Sequence, residues 1–383
     1  MKIVVNTRVL LPDQLEGVGK FTHEILWHLV GQHPEHEFYF LFDRPYHPQF
    51  IYGPNVKPLV IYPPARHPFL FYLWFQGMVP RVLRQLKADV FLSMDNMTSL
   101  RTQVPRVTVI HDLAYLHFPE EKKYLDRRYY ERFIPQFAAA SRAILTVSEF
   151  TKADVVQQLG VAPQKIQVTP CGVSNFFKPT AYAQQIEIRQ KYCAGEMYFV
   201  FVGALQPRKN LANVFKAFDF FKNLTRSEVK LVIVGRKAWK AQSILKAYRQ
   251  MEHKADVVFT GRVSDAEVRQ LYGSALGLVF PSIFEGFGLP IIEAQKCHCP
   301  VITSNTSSMP EVAGNSALLV NPLLPDEIGE ALMQLYHYPD KREALIRLGQ
   351  QNCQRYSWSH SAQLVYQKLE EAVQTPNISV KYG

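Results

Sequence analysis

The chain has 383 residues, 47% of them hydrophobic and 20% charged, which excludes a disordered polymer and leaves length for two domains, each with its own core. Lys and Arg number 43 against 33 Asp and Glu, and the formal charge of +10 points to an anionic partner: a nucleotide, a phospholipid surface or nucleic acid. No block of five or more like charges occurs, which argues against a nucleic-acid tail, and no apolar run approaches ~18 residues, so no bilayer-spanning helix is expected. The apolar stretch after Lys2 ends at Asn6, too short for a secretory leader. Five cysteines, an odd number without a disulfide framework, fit reduced thiols and a cytoplasmic location.

Taken in chain order, the first half alternates two periods. Lys2–Asn6, Phe38–Phe42, Asp89–Ser93, Arg106–Ile110 and Ala143–Val147 read as short strands, several of them near-continuous apolar runs as in parallel sheets. Helical spacing falls between them, at Lys20–Val30 and Tyr129–Ala140, and a βαβα order means a parallel sheet covered by helices. Gly17-Val18-Gly19 precedes the first helix. It reads either as a place for backbone N–H groups to approach a phosphate or as an ordinary loop, and it falls short of a full dinucleotide fingerprint. Phe69–Lys87 mixes aromatics with Arg81, Arg84 and Lys87; a helix packed on the first domain with its cations reaching to solvent is favoured over a helix lying on a membrane. Tyr124–Arg132 sets Arg127, Arg128 and Arg132 among tyrosines, and faces an acceptor or plain solvent. The strand Arg106–Ile110 runs directly into His111-Asp112. A histidine there is placed to donate to a sugar hydroxyl or steady a developing charge; the plainer reading packs His111 in a loop that Asp112 caps.

A stretch from Val168 to Tyr182, with Pro170, Gly172 and Pro179, has no helical period and reads as the linker. The second half repeats the first. Strands are expected at Tyr198–Val202, Val229–Val234, Val257–Phe259 and Gly277–Phe280, and helices at Leu211–Phe221, Ser264–Gly273 and Asp326–Tyr336; Ser264 and Glu267 form a capping box. Arg208 and Lys209 follow one strand end, and Arg236 and Arg262 follow two others, each just after a glycine. One sheet edge thus carries cations suited to a diphosphate. The run Glu285-Gly286-Phe287-Gly288-Leu289-Pro290-Ile291-Ile292-Glu293 feeds a glycine-rich turn into a helix, a ready site for an anion. Glu293, one turn into that helix, would repel a phosphate and is better suited to accept hydrogen bonds from ribose hydroxyls. Cys297-His298-Cys299 lacks a second ligand pair at a distance and reads as a packed helix end, not a metal site.

Together these residues resemble the retaining GT-B glycosyltransferases of family 4 over nearly the whole chain. The resemblance rests on Glu285 and Glu293 with seven residues between them, on the flanks Val279-Phe280-Pro281-Ser282 and Ser307-Ser308-Met309-Pro310-Glu311-Val312, and on Arg208-Lys209-Asn210, His111-Asp112, Ser148-Glu149-Phe150 and the region of Trp358. It implies an α/β fold of the GT-B class, two doubly wound Rossmann-like domains facing each other across a cleft. Residues 1–175 would form the acceptor-binding domain, 176–357 the donor-binding domain, and 358–383 a helix crossing back to the first.

The implied roles follow position by position. Glu293 would bind the donor ribose, and Gly286, Phe287, Gly288 and Leu289 would offer the loop to donor sugar and phosphates. Glu285 would lie near the reacting centre. Arg208 and Lys209 would neutralise the diphosphate as it leaves, His111 would hold the hexose, and Gly17 and Gly19 would line the phosphate side; Arg262 joins the donor-binding candidates from its place after a strand end. Two positions depart from the pattern: Lys20 where relatives often carry arginine, and His298 where glycine is usual.

The activity implied is transfer of a hexose from a nucleotide-sugar to a saccharide or lipid-linked saccharide in surface polysaccharide synthesis. GDP-mannose ranks first as donor and a UDP-hexose second. No metal or other cofactor is expected, since no Asp-x-Asp motif occurs, and peripheral contact with an anionic membrane is open. A same-face reaction, in which the leaving phosphate helps to deprotonate the acceptor, is the mechanism the resemblance favours. The rival readings are a nucleotide-sugar epimerase on the same fold and a non-catalytic nucleotide-sugar-binding scaffold. A hydride-transfer enzyme is disfavoured by the missing fingerprint after the first strand.

Overall fold

The computed structural model describes residues 1–12, 15–236 and 242–374. The chain divides into two units: Met1–Gly172 joined by the segment from Trp358, and Val173–Ser357.

The first unit is built on seven parallel strands: β1 (Lys2–Asn6), β2 (Glu37–Phe42), β3 (Val56–Val60), β4 (Val90–Ser93), β5 (Arg106–Ile110), β6 (Ala143–Thr146) and β7 (Ile166–Val168). Their order is β3-β2-β1-β4-β5-β6-β7, so the chain reverses its direction of travel across the sheet between β1 and β4. Strand interiors are wholly buried because helices cover both faces of such a sheet, and the runs are accordingly apolar. β3 and β7 have no counterpart in the sequence reading. β3 contains Pro58, which cannot donate to a ladder and is tolerated at this sheet edge; β7 is three residues long and ends at Val168, where the linker was expected to begin.

The aromatic segment after β3 forms helix Pro68–Leu73, a π-turn Trp74–Met78 and helix Val79–Leu86. Phe71, Trp74, Phe75, Val79 and Leu83 enter the core, with Trp74 Nε1 donating to Ile61 O over 3.0 Å, while Arg81, Arg84 and Lys87 stay exposed. The helix expected at Tyr129 starts at Tyr124. Helix Trp358–Gln374 lies against helix Val18–Gln32: His36 Nε2 meets Tyr366 Oη at 2.9 Å, and His33 stacks on Tyr366 at 3.5 Å between ring centroids.

The second unit has six parallel strands: β8 (Tyr198–Val202), β9 (Lys230–Val234), β10 (Val257–Gly261), β11 (Gly277–Phe280), β12 (Val301–Ser304) and β13 (Leu318–Val320). Their order, β10-β9-β8-β11-β12-β13, places the reversal between β8 and β11. β12 and β13 also escaped the sequence reading, being four and three residues long. Ser264 caps helix Asp265–Ser274 by accepting from Glu267 N over 3.3 Å, as its capping box requires. At the strand ends Gly203 and Gly235 pass so closely that a Cβ on Gly235 would lie 1.9 Å from Gly203 O; no other residue fits there. Among the described residues no helix is long and apolar enough to cross a membrane.

Candidate active site

In an open parallel sheet, ligands bind beyond the carboxyl ends of the strands where the strand order reverses. In the second unit that point lies between the segments that follow β8 and β11. The first supplies Arg208 and Lys209 from a single 3-10 turn, Pro207–Lys209, and Asn210 closes the turn in the left-handed region at φ 66°. Asn210 is held there by donating to Pro281 O over 3.0 Å and to Pro322 O over 2.6 Å. The second supplies Glu285. Arg208 Nη1 donates to Glu285 Oε2 over 3.2 Å and to Phe284 O over 3.0 Å, while Lys209 Nζ pairs with Glu285 Oε1. The Lys209 ammonium also lies 4.9 Å from the centroid of Phe280.

Glu285 is only 8% exposed. Burial alone would raise its carboxyl, but Lys209 and Arg208 outweigh that and hold it below the ordinary carboxylate value. Arg208 and Lys209 thus both meet the Glu285 carboxylate beyond the strand ends where the strand order reverses.

The glycine-rich turn is braced from the segment after β12. Ser307 Oγ accepts from Glu285 N over 3.2 Å, and the single Ser308 O–H lies within reach of two carbonyls, Glu285 O at 2.9 Å and Phe287 O at 2.7 Å. Gly288 takes φ 110°, a conformation open to glycine, and starts helix Leu289–Lys296 with Pro290 in its first turn. Phe287 is buried edge-on to Tyr356 at 5.5 Å, so the ring anchors the turn. Glu293 is buried one turn into the helix, and Tyr272 Oη donates to its Oε2 at 3.5 Å. Tyr272 was not singled out from the sequence; an interior tyrosine in helix Asp265–Ser274 carries no local mark of its partner.

Arg262 follows β10, two strands away from β8 in the sheet, and is exposed; Arg236 follows β9 and is exposed too. The structure brings Arg208, Lys209 and Glu285 together.

His111, Gly17 and Gly19 belong to the first unit. His111 is 8% exposed, and its Nε2–H donates to Met94 O over 2.8 Å, while its backbone N–H donates to Asn96 Oδ1 over 3.0 Å. Burial lowers its pKa in spite of the Met94 carbonyl and the nearby Asp112 and Asp95, so the ring is neutral at pH 7. With Nε2–H donating to Met94 O, Nδ1 of that tautomer is an acceptor. Asp112 Oδ1 accepts from Ala114 N over 3.0 Å, the capping role of the plainer reading. Gly17, at φ 47°, precedes helix Val18–Gln32, and Gly19 is buried inside it. Phe21 of that helix meets the His111 ring edge-on at 5.0 Å and Trp358 at 5.8 Å.

Cys297 and Cys299 are buried at the end of the Glu293 helix, and burial pushes the Cys297 thiol up to about 12. His298 between them sits at φ 60° as the helix closes, with Cys299 N donating to Ala294 O over 2.9 Å. This left-handed helix-end position is the kind glycine fills most easily.

Residues 184–352 match the family Glycosyl transferases group 1, and residues 15–175 match Glycosyltransferase Family 4, so that one match takes in most of each unit. The chain belongs to the glycosyltransferases that combine these two modules. It is similar to O-antigen chain mannosyltransferase B of Escherichia coli, 29% identical over 255 residues that cover 66% of this chain and 67% of that protein. It is also similar to O-antigen chain mannosyltransferase RfbU of Salmonella typhimurium, 29% identical over 307 residues and 80% of each chain. Among solved structures, Anabaena HepE in complex with UDP and glucose matches with a TM-score of 0.76 at 17% identity, covering 97% of this chain and 99% of that one; the shared fold is GT-B.

Proposed function

We propose that this glycosyltransferase moves mannose from GDP-mannose to a saccharide or lipid-linked saccharide in surface polysaccharide assembly, with retention of configuration and without a metal ion. The observation that carries the reading is the Arg208–Lys209–Glu285 cluster at the strand-order reversal of the second unit. A departing nucleoside diphosphate concentrates negative charge on its terminal phosphate. Cations already fixed by Glu285 and by Phe284 O stabilise that charge without reorganising, which is where such sites gain most of their rate. Those cations and the N–H groups of Gly286–Leu289 supply the positive field that a metal would otherwise provide.

Glu285 is a poor base in this setting, because both cations lower its proton affinity. Its role is to aim Arg208 and Lys209 and to face the donor hexose, and the leaving phosphate is the group that takes the acceptor proton. Glu293 is assigned to the ribose hydroxyls and His111 Nδ1 to a hexose hydroxyl. Arg262 is assigned to the outer part of the nucleotide, and Gly17 and Gly19 to the phosphate side.

Mannose is favoured because both curated relatives described above are mannosyltransferases; a UDP-hexose is second, favoured by the UDP and glucose held by HepE. Exposed Phe69 and Leu73, followed in sequence by exposed Arg81 and Arg84, are the face offered to an anionic bilayer. Salt-sensitive sedimentation with anionic liposomes tests that contact, and its absence removes it.

The donor is tested by thermal shift with GDP, UDP and ADP, then with their mannose and glucose conjugates. A ligand at a hundredfold its dissociation constant stabilises the folded state by about 2.7 kcal/mol. Selective stabilisation by GDP and GDP-mannose is expected. A response to uridine compounds alone moves the donor to a UDP-hexose, and no response to any of them counts against a working donor site and in favour of a scaffold. Acceptor-independent conversion of the donor would instead favour the epimerase.

A further inference from the structure

The loop His33-Pro34-Glu35-His36 joins helix Val18–Gln32 to β2, whose first residue, Glu37, pairs with Lys2 at the start of β1. It therefore lies at the amino-terminal edge of the first sheet, whereas His111 follows the carboxyl end of β5. Three metal-ligating side chains meet in this loop. His33 Nδ1 lies 3.2 Å and His36 Nε2 3.5 Å from the same oxygen, Glu35 Oε1, and one donor atom from each of the three residues falls within 4.8 Å of the other two. Ligands about 2.0–2.1 Å from a tetrahedral zinc ion stand about 3.4 Å apart, so both edges measured here have the length such a site needs.

The loop is held in shape before any ion arrives. Pro34 fixes one backbone angle, His36 N donates to His33 O over 3.2 Å, and Asn55 Nδ2 lies 3.3 Å from both His33 O and His36 O. Tyr366 of helix Trp358–Gln374 walls one side: its ring stacks on His33 at 3.5 Å and lies 5.6 Å from His36. The two imidazoles are nearly parallel, with 9° between their planes. Both histidine side chains are largely sheltered, while that of Glu35 is 56% exposed and leaves a path in from solvent.

We propose that His33, Glu35 and His36 form a structural site for a divalent transition-metal ion of the zinc type, with solvent in the fourth position. The inference is independent of the donor reading, and the ion takes no part in sugar transfer. Two imidazoles and one carboxylate suit zinc better than magnesium or calcium, which take oxygen ligands. Before binding, His36 Nε2 also meets Tyr366 Oη at 2.9 Å, and Nδ1 faces the Met1 amine at 3.1 Å. A metal at Nε2 displaces the Tyr366 hydroxyl and leaves the ring proton on Nδ1, where a neutral amine accepts it. Uptake therefore releases protons to solvent and strengthens as pH rises. The bound ion ties both imidazoles to one carboxylate and so favours the folded first unit.

The test is calorimetric titration of zinc chloride into the full chain, free of any polyhistidine tag, with melting curves beside it and magnesium chloride as the control. Wild type is expected to bind one zinc ion at this site, to melt higher with zinc and to show no such response to magnesium. Glu35→Gln and His36→Gln are each expected to bind zinc at least about tenfold more weakly. His33→Phe keeps a ring on Tyr366, so its metal-free Tm stays near that of wild type while its zinc affinity falls in the same way; a histidine that only packs would not separate those two readouts. GDP affinity, followed in parallel, is unchanged in all three variants. No zinc binding by wild type, an equal response to magnesium, or equal zinc affinity in wild type and in His33→Phe or His36→Gln overturns the site. The donor reading survives each of those results, and a failure of GDP to bind would count against that reading alone.

Discussion

Each unit of this chain reverses its strand order once, and at each reversal an arginine after one strand meets a carboxylate after the neighbouring strand: Arg8 and Asp95 in the first, Arg208 and Glu285 in the second. The second adds Lys209 on the free side of the same carboxylate, and the first adds tyrosines and a neutral histidine. A pair with a second cation suits a diphosphate, whose charge it meets without first having to be ordered. The two reversal points thus share a topology and differ in a few side chains on the loops rather than in the sheets.

The comparison breaks most visibly at Lys209. Lys209→Ala removes one of the two cations beside Glu285, and turnover should fall by roughly 10²–10³, the cost of one lost transition-state donor. Steady-state kinetics beside a melting curve checks this; a Tm loss that accounts for the missing activity would make Lys209 structural. Glu285→Gln shifts the balance the other way. With the offsetting carboxylate gone, GDP should bind up to about tenfold tighter while turnover falls, because product binding gains from the unmasked cations and the reaction loses their aim. Weaker GDP binding in that variant would mean that Glu285 contacts the nucleotide more than it restrains the cations.

The two units should also part company in acid. Burial holds the folded-state pKa of His111 below its usual 6.5, so the unfolded chain takes up a proton first as pH falls. Stability linked to His111 is therefore complete above pH 6.5 and is lost below it, at no more than ~1.4 kcal/mol per pH unit. The Glu285 contribution is complete above its usual 4.5 and is lost as pH falls toward its lowered folded value. Urea unfolding from pH 7 downward should show His111→Asn flattening the limb that begins below pH 6.5, and Glu285→Gln flattening only the limb below 4.5. The smallest effect is expected at the end of the Glu293 helix. His298→Gly relieves a left-handed backbone at φ 60°, and after the added freedom of the unfolded chain the gain is under about 1 kcal/mol, readable as a small rise in Tm.

What the sequence disclosed follows from the kind of signal each part carries. β1, β5, β8 and β11 stand out as largely apolar runs, and their limits in the structure are those read from the chain. β3, with its proline, and the three- or four-residue strands β7, β12 and β13 are defined by the neighbours they pair with, which no local pattern reveals. The same holds at the sites. Arg208, Lys209 and Glu285 were legible because each follows a strand end with distinctive chemistry. Their mutual ion pairing, the Tyr272 contact to Glu293 and the commitment of His111 Nε2 to Met94 O all join residues at least 17 positions apart, and only the fold brings them together. Asn96 could have been found by the same strand-end rule that found His111, since it lies three residues past β4.

The central claim is that Arg208 and Lys209, held against Glu285, serve to hold a nucleoside diphosphate. Calorimetric titration of GDP and UDP into wild type and into the Arg208→Ala, Lys209→Ala double variant tests it most directly. The account predicts binding of one nucleotide by the wild type and at least about tenfold weaker binding by a variant that is still folded. Equal affinity in the two proteins would contradict it.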